Sequence, residues 1–373
     1  MRYLEAHIAS DLKKKMVFLG GPRQSGKTTL AKALLAGRRG AYFNWDDDVH
    51  RRKVMKREWS DDSALVVFDD LHKFPKWKNW IKGIYDTRPP TTSLLVTGSA
   101  RLDVYRRGGD SLLGRYHYWR LHPFALDEKP AKMSDEDALS RLLTVGGFPE
   151  PFLDGDERQA PRWRRERFDR VLKDDIRDLE PIKDIATLSM FVDSLRQRVG
   201  GLVVLSNIAN DLQVAPATLK RWLASLERMY LLFTVLPLTK GVPRAIQKPP
   251  KVYFFDNADV VGDEGPRFEN FVATHLLKYC HLLEDRDGYK YELRYVRDKE
   301  GREVDFAIVN DGVVTELYEC KWSQNYFDPA LRYYAQRLLP QRATQLVGTA
   351  RTTFKQGRLE LQSPFKLKKN PLL

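Results

Sequence analysis

Cysteine is nearly absent: Cys280 and Cys320 are the only two among 373 residues. Two thiols make neither a disulfide framework nor a zinc site by themselves, and their scarcity fits a reducing cytoplasm. Long apolar runs are missing too. The longest, Met229 to Leu238, is interrupted by Thr234 and Pro237, far short of the about 20 residues that span a bilayer. The opening MRYLEAHIASDLKKKMVFLGG sets only four apolar residues behind its lysines, so no secretory leader is expected there. Acid is short relative to base: 50 Asp and Glu face 63 Lys and Arg, a formal net charge of +13. That balance suits an anionic partner, nucleic acid first, or a solvated basic surface. A hydrophobic share of 42% and a charged share of 30% exclude collagen-like and wholly disordered chains. At ~100–200 residues per domain the length predicts two or three domains.

The N-terminal segment carries the clearest chemistry. Met16 to Leu19 is a short apolar run that leads into Gly21-Pro22-Arg23-Gln24-Ser25-Gly26-Lys27-Thr28, and Thr29 to Leu35 has helical spacing. This is G-x-x-x-x-G-K-[ST] between a strand and a helix, the phosphate-cradling P-loop. Its glycines let backbone N–H groups curl around phosphates, and the helix start adds positive potential. Residues 21 to 29 are therefore the expected ATP-binding stretch. Lys27 is placed to reach the β- and γ-phosphates, and Thr28 to ligate Mg²⁺. A second magnesium-shell residue is expected at the end of the apolar run Ala64 to Phe68, where Asp69 and Asp70 follow. Asp69 reads as the Mg²⁺ partner and Asp70 as the base or water-positioning carboxylate. Ser93 to Ser99 forms a further strand signal, with Thr97 and Ser99 as candidates to sense the γ-phosphate. Arg115, and less directly Arg101, are candidates to stabilise phosphate charge, often from a neighbouring subunit.

These stretches, GGPRQSGKTTL, VVFDDLHKFPKWKNWIK, LLVTGSA, SLLGR and LHPFALDE, resemble AAA+-like P-loop ATPases of bacteria and archaea. Those usually carry Glu where Asp70 stands. The later stretches VGGFPEP and KVYFFDNA resemble the same proteins, whose members carry a C-terminal restriction-endonuclease-like domain. The resemblance implies ATP binding and an AAA+-like parallel sheet.

The middle of the chain reads as helical. A charged segment around Arg162-Trp163-Arg164-Arg165 is an amphipathic helix with a basic face or an aromatic–arginine grip on nucleic acid. Leu205 to Leu212 and Ala217 to Arg228 read as two helices joined by a short turn, followed by the strand Tyr230 to Leu236. This predicts a helix–turn–helix with a wing-like hairpin. Thr218, Lys220, Arg221 and Arg228 are the candidate DNA contacts, with a purely structural lid as the alternative.

The last third orders its signals as α-β-β-β-α-β. A helix from Pro266 carries Glu269. The strand Glu303 to Val309 carries Asp305, and Val313 to Lys321 ends in Glu319-Cys320-Lys321. This order resembles the core of restriction-endonuclease-like folds. Glu319 and Lys321, two apart on a strand, share a face, while Cys320 faces the other way. Asp305 and Glu319 are candidate Mg²⁺ ligands, Glu269 can complete the shell, and Lys321 can assist the nucleophile. Lys299 and Arg302 flank this constellation. The alternative is a polar strand face in an inactive scaffold.

The expected organisation is α/β: an ATPase core over 1–130, a helical and winged-helix region over 131–240, and a restriction-endonuclease-like domain over 241–373. The expected protein is a cytoplasmic, Mg²⁺-dependent ATPase. It acts on DNA, translocating or remodelling it, as an oligomer such as a hexameric ring. The alternatives are a nucleotide-gated switch for a protein partner and an ATP-controlled nuclease.

Overall fold

The computed structural model describes residues 2–98, 112–172, 184–239 and 248–369. Ser99 and Arg101 lie outside the described residues. Contacts divide the chain into two compact units: Met1–Pro123 with Arg228–Tyr230, and Phe124–Glu227 with Leu231–Leu373. The middle and C-terminal segments thus share one unit.

The first unit holds five parallel strands: β1 (Met16–Gly20), β2 (Gly40–Asn44), β3 (Leu65–Asp69), β4 (Ser93–Thr97) and β5 (Tyr116–Arg120). Their order is β2-β3-β4-β1-β5. β1 and β3 are buried at every residue, which is why both read as unbroken apolar runs rather than alternating ones. Phe18, Phe43, Phe68 and Trp77 pack into one aromatic-rich core. The helix Lys27–Leu35 follows β1 directly, and the helix Asp48–Lys56 is capped by the Asp47 carboxylate accepting from His50 N.

The second unit holds an eight-stranded mixed sheet. Its strands are β6 (Leu232–Pro237), β7 (Lys251–Phe254), β8 (Tyr291–Arg297), β9 (Glu303–Asn310), β10 (Val313–Lys321), β11 (Arg342–Val347), β12 (Phe354–Gln356) and β13 (Leu359–Gln362). The order is β12-β13-β11-β10-β9-β8-β6-β7. The α-β-β-β-α-β succession is present as the helix Glu264–Asp287, β8, β9, β10, the helix Pro329–Leu338 and β11. The first of these helices runs for 24 residues. Buried Tyr279, Cys280, Leu282 and Leu283 continue its apolar face, and Gly288, at φ 79°, ends it.

The helices Leu205–Leu212 and Pro216–Arg228 form where expected, with Gln213 in the left-handed region between them. The hairpin after them is not a freestanding wing. β6 pairs antiparallel with β7 and parallel with β8, through Leu236 with Arg294 and Pro237 with Tyr295. All four residues of β7 are buried although it is the last strand of the sheet, so this pair of strands is packed rather than a solvated wing.

Two stretches noted in the sequence meet inside the second unit. The Arg167 guanidinium lies 3.8 Å over the Phe148 ring of GGFP and 3.8 Å from the Asp259 carboxylate that follows FFDNA. The LHPFALDE stretch closes on the long helix. Lys278 Nζ binds Asp127 at 2.9 Å and Glu128 at 2.8 Å, and the Leu126 N–H donates to His275 Nε2. His275 Nδ1 bonds the Phe271 carbonyl, so the neutral tautomer carries its proton there. Burial pushes the His275 pKa down to about 4, consistent with that neutral ring.

Candidate functional site

In a parallel sheet the carboxyl ends of all strands lie on one edge, and the register decides which residues meet there. Asn44, Asp69 and Thr97 align as neighbours across β2, β3 and β4, and Thr97 aligns with Leu19 of β1. The P-loop leaves β1 one residue further on. Gly21 has φ 137°, and a Cβ there would lie 2.3 Å from the Leu121 carbonyl oxygen; only glycine fits this close approach. Gly26, at φ 92°, caps the helix Lys27–Leu35. The loop is braced from the N-terminal segment, where Arg2 donates to the carbonyls of Ser25 and His122.

Lys27 is only 8% exposed, and its ammonium donates to the Gly21 and Pro22 carbonyls at 3.1 and 2.6 Å. It therefore lies inside the curl of the loop, where phosphate oxygens would compete for the same protons. Thr28 Oγ1 donates to Asp69 Oδ2 at 2.7 Å, and Thr97 Oγ1 donates to Asp69 Oδ1. Tyr42 Oη also donates to Asp69 Oδ2, at 2.6 Å. Sequence reasoning missed Tyr42; its signal is a hydroxyl two residues before the end of the strand beside Asp69. Burial raises the Tyr42 pKa, and the bond to Asp69 with the charges of Asp69 and Asp70 adds to the rise, so it stays a donor. Hard oxygen donors beside a phosphate cradle fit Mg²⁺: Thr28 would ligate it and Asp69 would hold its shell.

Tyr42→Phe removes one of three hydroxyl donors that aim the Asp69 carboxylate. The expected cost is about 1 kcal/mol in aiming that group, seen as a several-fold rise in the Mg²⁺ concentration needed for half-maximal ATP binding. A titration of a fluorescent ATP analogue with Mg²⁺ measures it; an unchanged midpoint would show that Thr28 and Thr97 suffice.

Asp70 stands just past β3 in the left-handed region, φ 57°, with its N–H on the Thr97 carbonyl. Its carboxylate is 3.1 Å from Lys73 Nζ, which also binds Asp46. The expected base is thus held in an ion pair. Arg115 is placed away from this edge. It precedes β5 at the end where Tyr116 aligns with Met16, whereas the P-loop leaves where Gly20 aligns with Arg120. One strand length, roughly 15 Å at the usual rise, separates the two ends. Arg115 forms a paired contact with Asp86 at 2.8 and 3.2 Å. It takes no part in its own chain's P-loop, because a residue that leads into a parallel strand lies at the amino edge of the sheet.

The second constellation also assembles. Asp305 N approaches Glu319 Oε2 at 3.4 Å, Cys320 N donates to Asp305 Oδ2 at 2.9 Å, and Lys321 Nζ binds Glu319 Oε1 at 2.7 Å and Asp328 at 3.2 Å. Glu269 joins them from the long helix, accepting from Tyr253 Oη at 2.6 Å. Sequence reasoning missed the central member, Lys251, whose ammonium sits among Glu269, Glu303 and Asp305. A lysine opening the otherwise apolar strand Lys251-Val252-Tyr253-Phe254 was its signal. Burial alone would lower the Lys251 pKa, but Asp305, Glu269 and Glu303 raise it above the ordinary value. Burial, then Asp305, pushes Glu269 and Glu319 upward, against Lys251 and Lys321 respectively. Burial also raises the Cys320 thiol, with Asp305, Glu269 and Glu319 adding to it. Among the described residues no group of three or more His, Cys, Asp or Glu is placed to hold a metal ion. Lys299 is exposed, and Arg302 pairs with Asp298 and Glu300.

Lys220, Arg221 and Arg228 are exposed and Thr218 is half-buried on the helix Pro216–Arg228. No described helix is long and apolar enough to cross a membrane.

A P-loop at the carboxyl edge of a five-stranded parallel sheet, with Thr28 bonded to a strand-end aspartate, defines a P-loop ATPase domain. Residues 13–129 match the family model described as AAA domain. Residues 136–259 and 264–362 match two models described as domains of unknown function, DUF8612 and DUF4143. An uncharacterized protein of Mycobacterium tuberculosis is 24% identical over 243 residues, 65% of this chain and 54% of that protein. The chain thus spans about half the length of this mycobacterial relative. An uncharacterized protein of Methanocaldococcus jannaschii is 22% identical over 371 residues, 82% of this chain and 75% of that protein. Among solved structures, the Walker-type ATPase of Pyrococcus abyssi aligns with a TM-score of 0.43 at 16% identity, over 69% of this chain and 94% of that one. The Aeropyrum pernix ORC1 protein in complex with DNA aligns at 0.35 and 13% identity, over 73% and 94%.

Proposed function

We propose that this protein is a Mg²⁺-dependent ATP hydrolase that acts on DNA as an oligomer, a ring being one form. The observation that carries the first half is the convergence of Thr28, Thr97 and Tyr42 on the Asp69 carboxylate beside a P-loop that already encloses Lys27. Bound magnesium would neutralise charge on the β- and γ-phosphates; the chain's own residues orient it and hold the phosphates. The DNA half is supported by the net charge of +13 and by Lys220 and Arg221 exposed on the second helix of a helix–turn–helix. Backbone phosphates attract such side chains without regard to sequence.

A nucleotide-gated switch acting on a protein partner is the second reading. The Asp70–Lys73 ion pair favours it, since a carboxylate turned to an ammonium is drawn away from an attacking water and slow hydrolysis suits a switch.

The steady-state ATPase rate with Mg²⁺, measured alone and with single-stranded, duplex and branched DNA, separates the two. Stimulation of at least several-fold by one DNA form is the expected result. A slow rate indifferent to all three rejects the DNA-driven motor in favour of the switch.

A further inference from the structure

Lys251 is 1% exposed and opens a fully buried strand. Its ammonium lies 2.7 Å from Glu303 Oε1 and 3.2 Å from both Glu269 Oε1 and Asp305 Oδ1. An ammonium has three donors and no acceptor, so three carboxylate oxygens satisfy it fully. Most of the other carboxylate oxygens are engaged as well. Glu303 Oε2 takes Arg297 at 2.7 Å, Asp305 Oδ2 takes the Cys320 N–H, and Glu319 Oε1 takes Lys321. Glu269 Oε2 faces Gly200, where a Cβ would lie 2.5 Å away. A divalent ion of the magnesium type needs oxygens about 2.1 Å from a shared centre, and that centre is filled by nitrogen. Replacing the ammonium by a metal would also require burying a second positive charge beside Lys321 and Arg297.

We propose that the Lys251 ammonium occupies the place a divalent cation would need between Glu269, Glu303 and Asp305, so that this nuclease-shaped cluster is closed by its own lysine and takes no metal. The inference concerns the nuclease alternative alone and stands whether or not the P-loop hydrolyses ATP. The C-terminal sheet then keeps its carboxylates around a lysine, without the metal that would activate water. Removing the lysine side-chain charge while keeping its volume, as in Lys251→Met, converts the cluster into an acidic cage with a free centre.

Mn²⁺ binding to the full chain, read by electron paramagnetic resonance without nucleotide, tests this. Wild type and Asp305→Asn are expected to bind the same amount of Mn²⁺. Lys251→Met is expected to gain one equivalent, which adding Asp305→Asn removes. A wild-type equivalent that Asp305→Asn loses would overturn the proposal, and so would a folded Lys251→Met chain that gains none. Should Lys251→Met fail to fold, equality of wild type and Asp305→Asn supports it unaided. ATP binding on the same samples reports separately on the Lys27 site and is expected to stay unchanged in Asp305→Asn.

Discussion

Lys27→Ala is expected to weaken ATP binding by about 100-fold or more, while the second unit keeps its stability. The ammonium is buried within the loop and already spends its protons on two loop carbonyls. Its bonds to phosphate would be charge-assisted on both sides, and such bonds contribute about 1.5–3 kcal/mol each; 2.7 kcal/mol corresponds to about 100-fold in Kd. Alanine also leaves the Gly21 and Pro22 carbonyls without that donor, so the loop itself is expected to loosen. Calorimetric titration with ATP and Mg²⁺ measures the affinity, and urea unfolding of the same variant checks the second unit. An ATP affinity within a few-fold of wild type would remove Lys27 from the site.

Lys278→Met is expected to destabilise the second unit by about 3–5 kcal/mol. Lys278 is 2% exposed and holds Asp127 and Glu128 at 2.8–3.1 Å. Asp127 is an exposed residue whose carboxylate turns inward to Lys278; desolvation would push that carboxyl up, yet Lys278 holds it below the ordinary value. Deleting the ammonium takes that cation from the buried Glu128 carboxylate and from Asp127. Burying an unpaired charge is the costly half of such a change, so Asp127→Asn and Glu128→Gln added to Lys278→Met are expected to restore much of the loss. Urea denaturation of the single and triple variants reads both effects. A loss under about 1 kcal/mol for Lys278→Met would mean that the pair is solvated rather than buried.

The readable and unreadable parts of this chain divide along a physical line. The strand–loop–helix around Lys27 is local: buried parallel strands need apolar runs, and a phosphate loop needs glycine at positions 21 and 26. Asp69 could be read because the same rule places a carboxylate at the end of the next apolar run. Tyr42 could not, since its role depends on β2 lying beside β3, a pairing that the residues of β2 do not themselves encode. The place of Arg115 was unreadable for a related reason. Its sequence distance from the P-loop says nothing about which edge of the sheet it occupies, and the β1–β5 register puts it on the far one. In the second constellation Glu269, Asp305, Glu319 and Lys321 were legible from spacing and element order. Lys251 was not, because the spacing of the carboxylates says nothing of a lysine on β7, which reaches them only once the strand is folded beside them.

The strand β6, which follows the two helices read as a helix–turn–helix, also bears on inheritance. The two models of unknown function meet between residues 259 and 264, as though two cassettes had been joined there. The sheet disagrees: β6 is laid between β7 and β8, and the Leu238 N–H reaches the Tyr295 carbonyl at 2.7 Å. Separating the cassettes would leave a row of amides and carbonyls unpaired on β8 and strip Lys251 from its carboxylates. The segment that carries β6 and β7 and the carboxylate-bearing sheet must therefore travel together, since β6 completes the ladder of β8 and β7 brings Lys251 to the carboxylates.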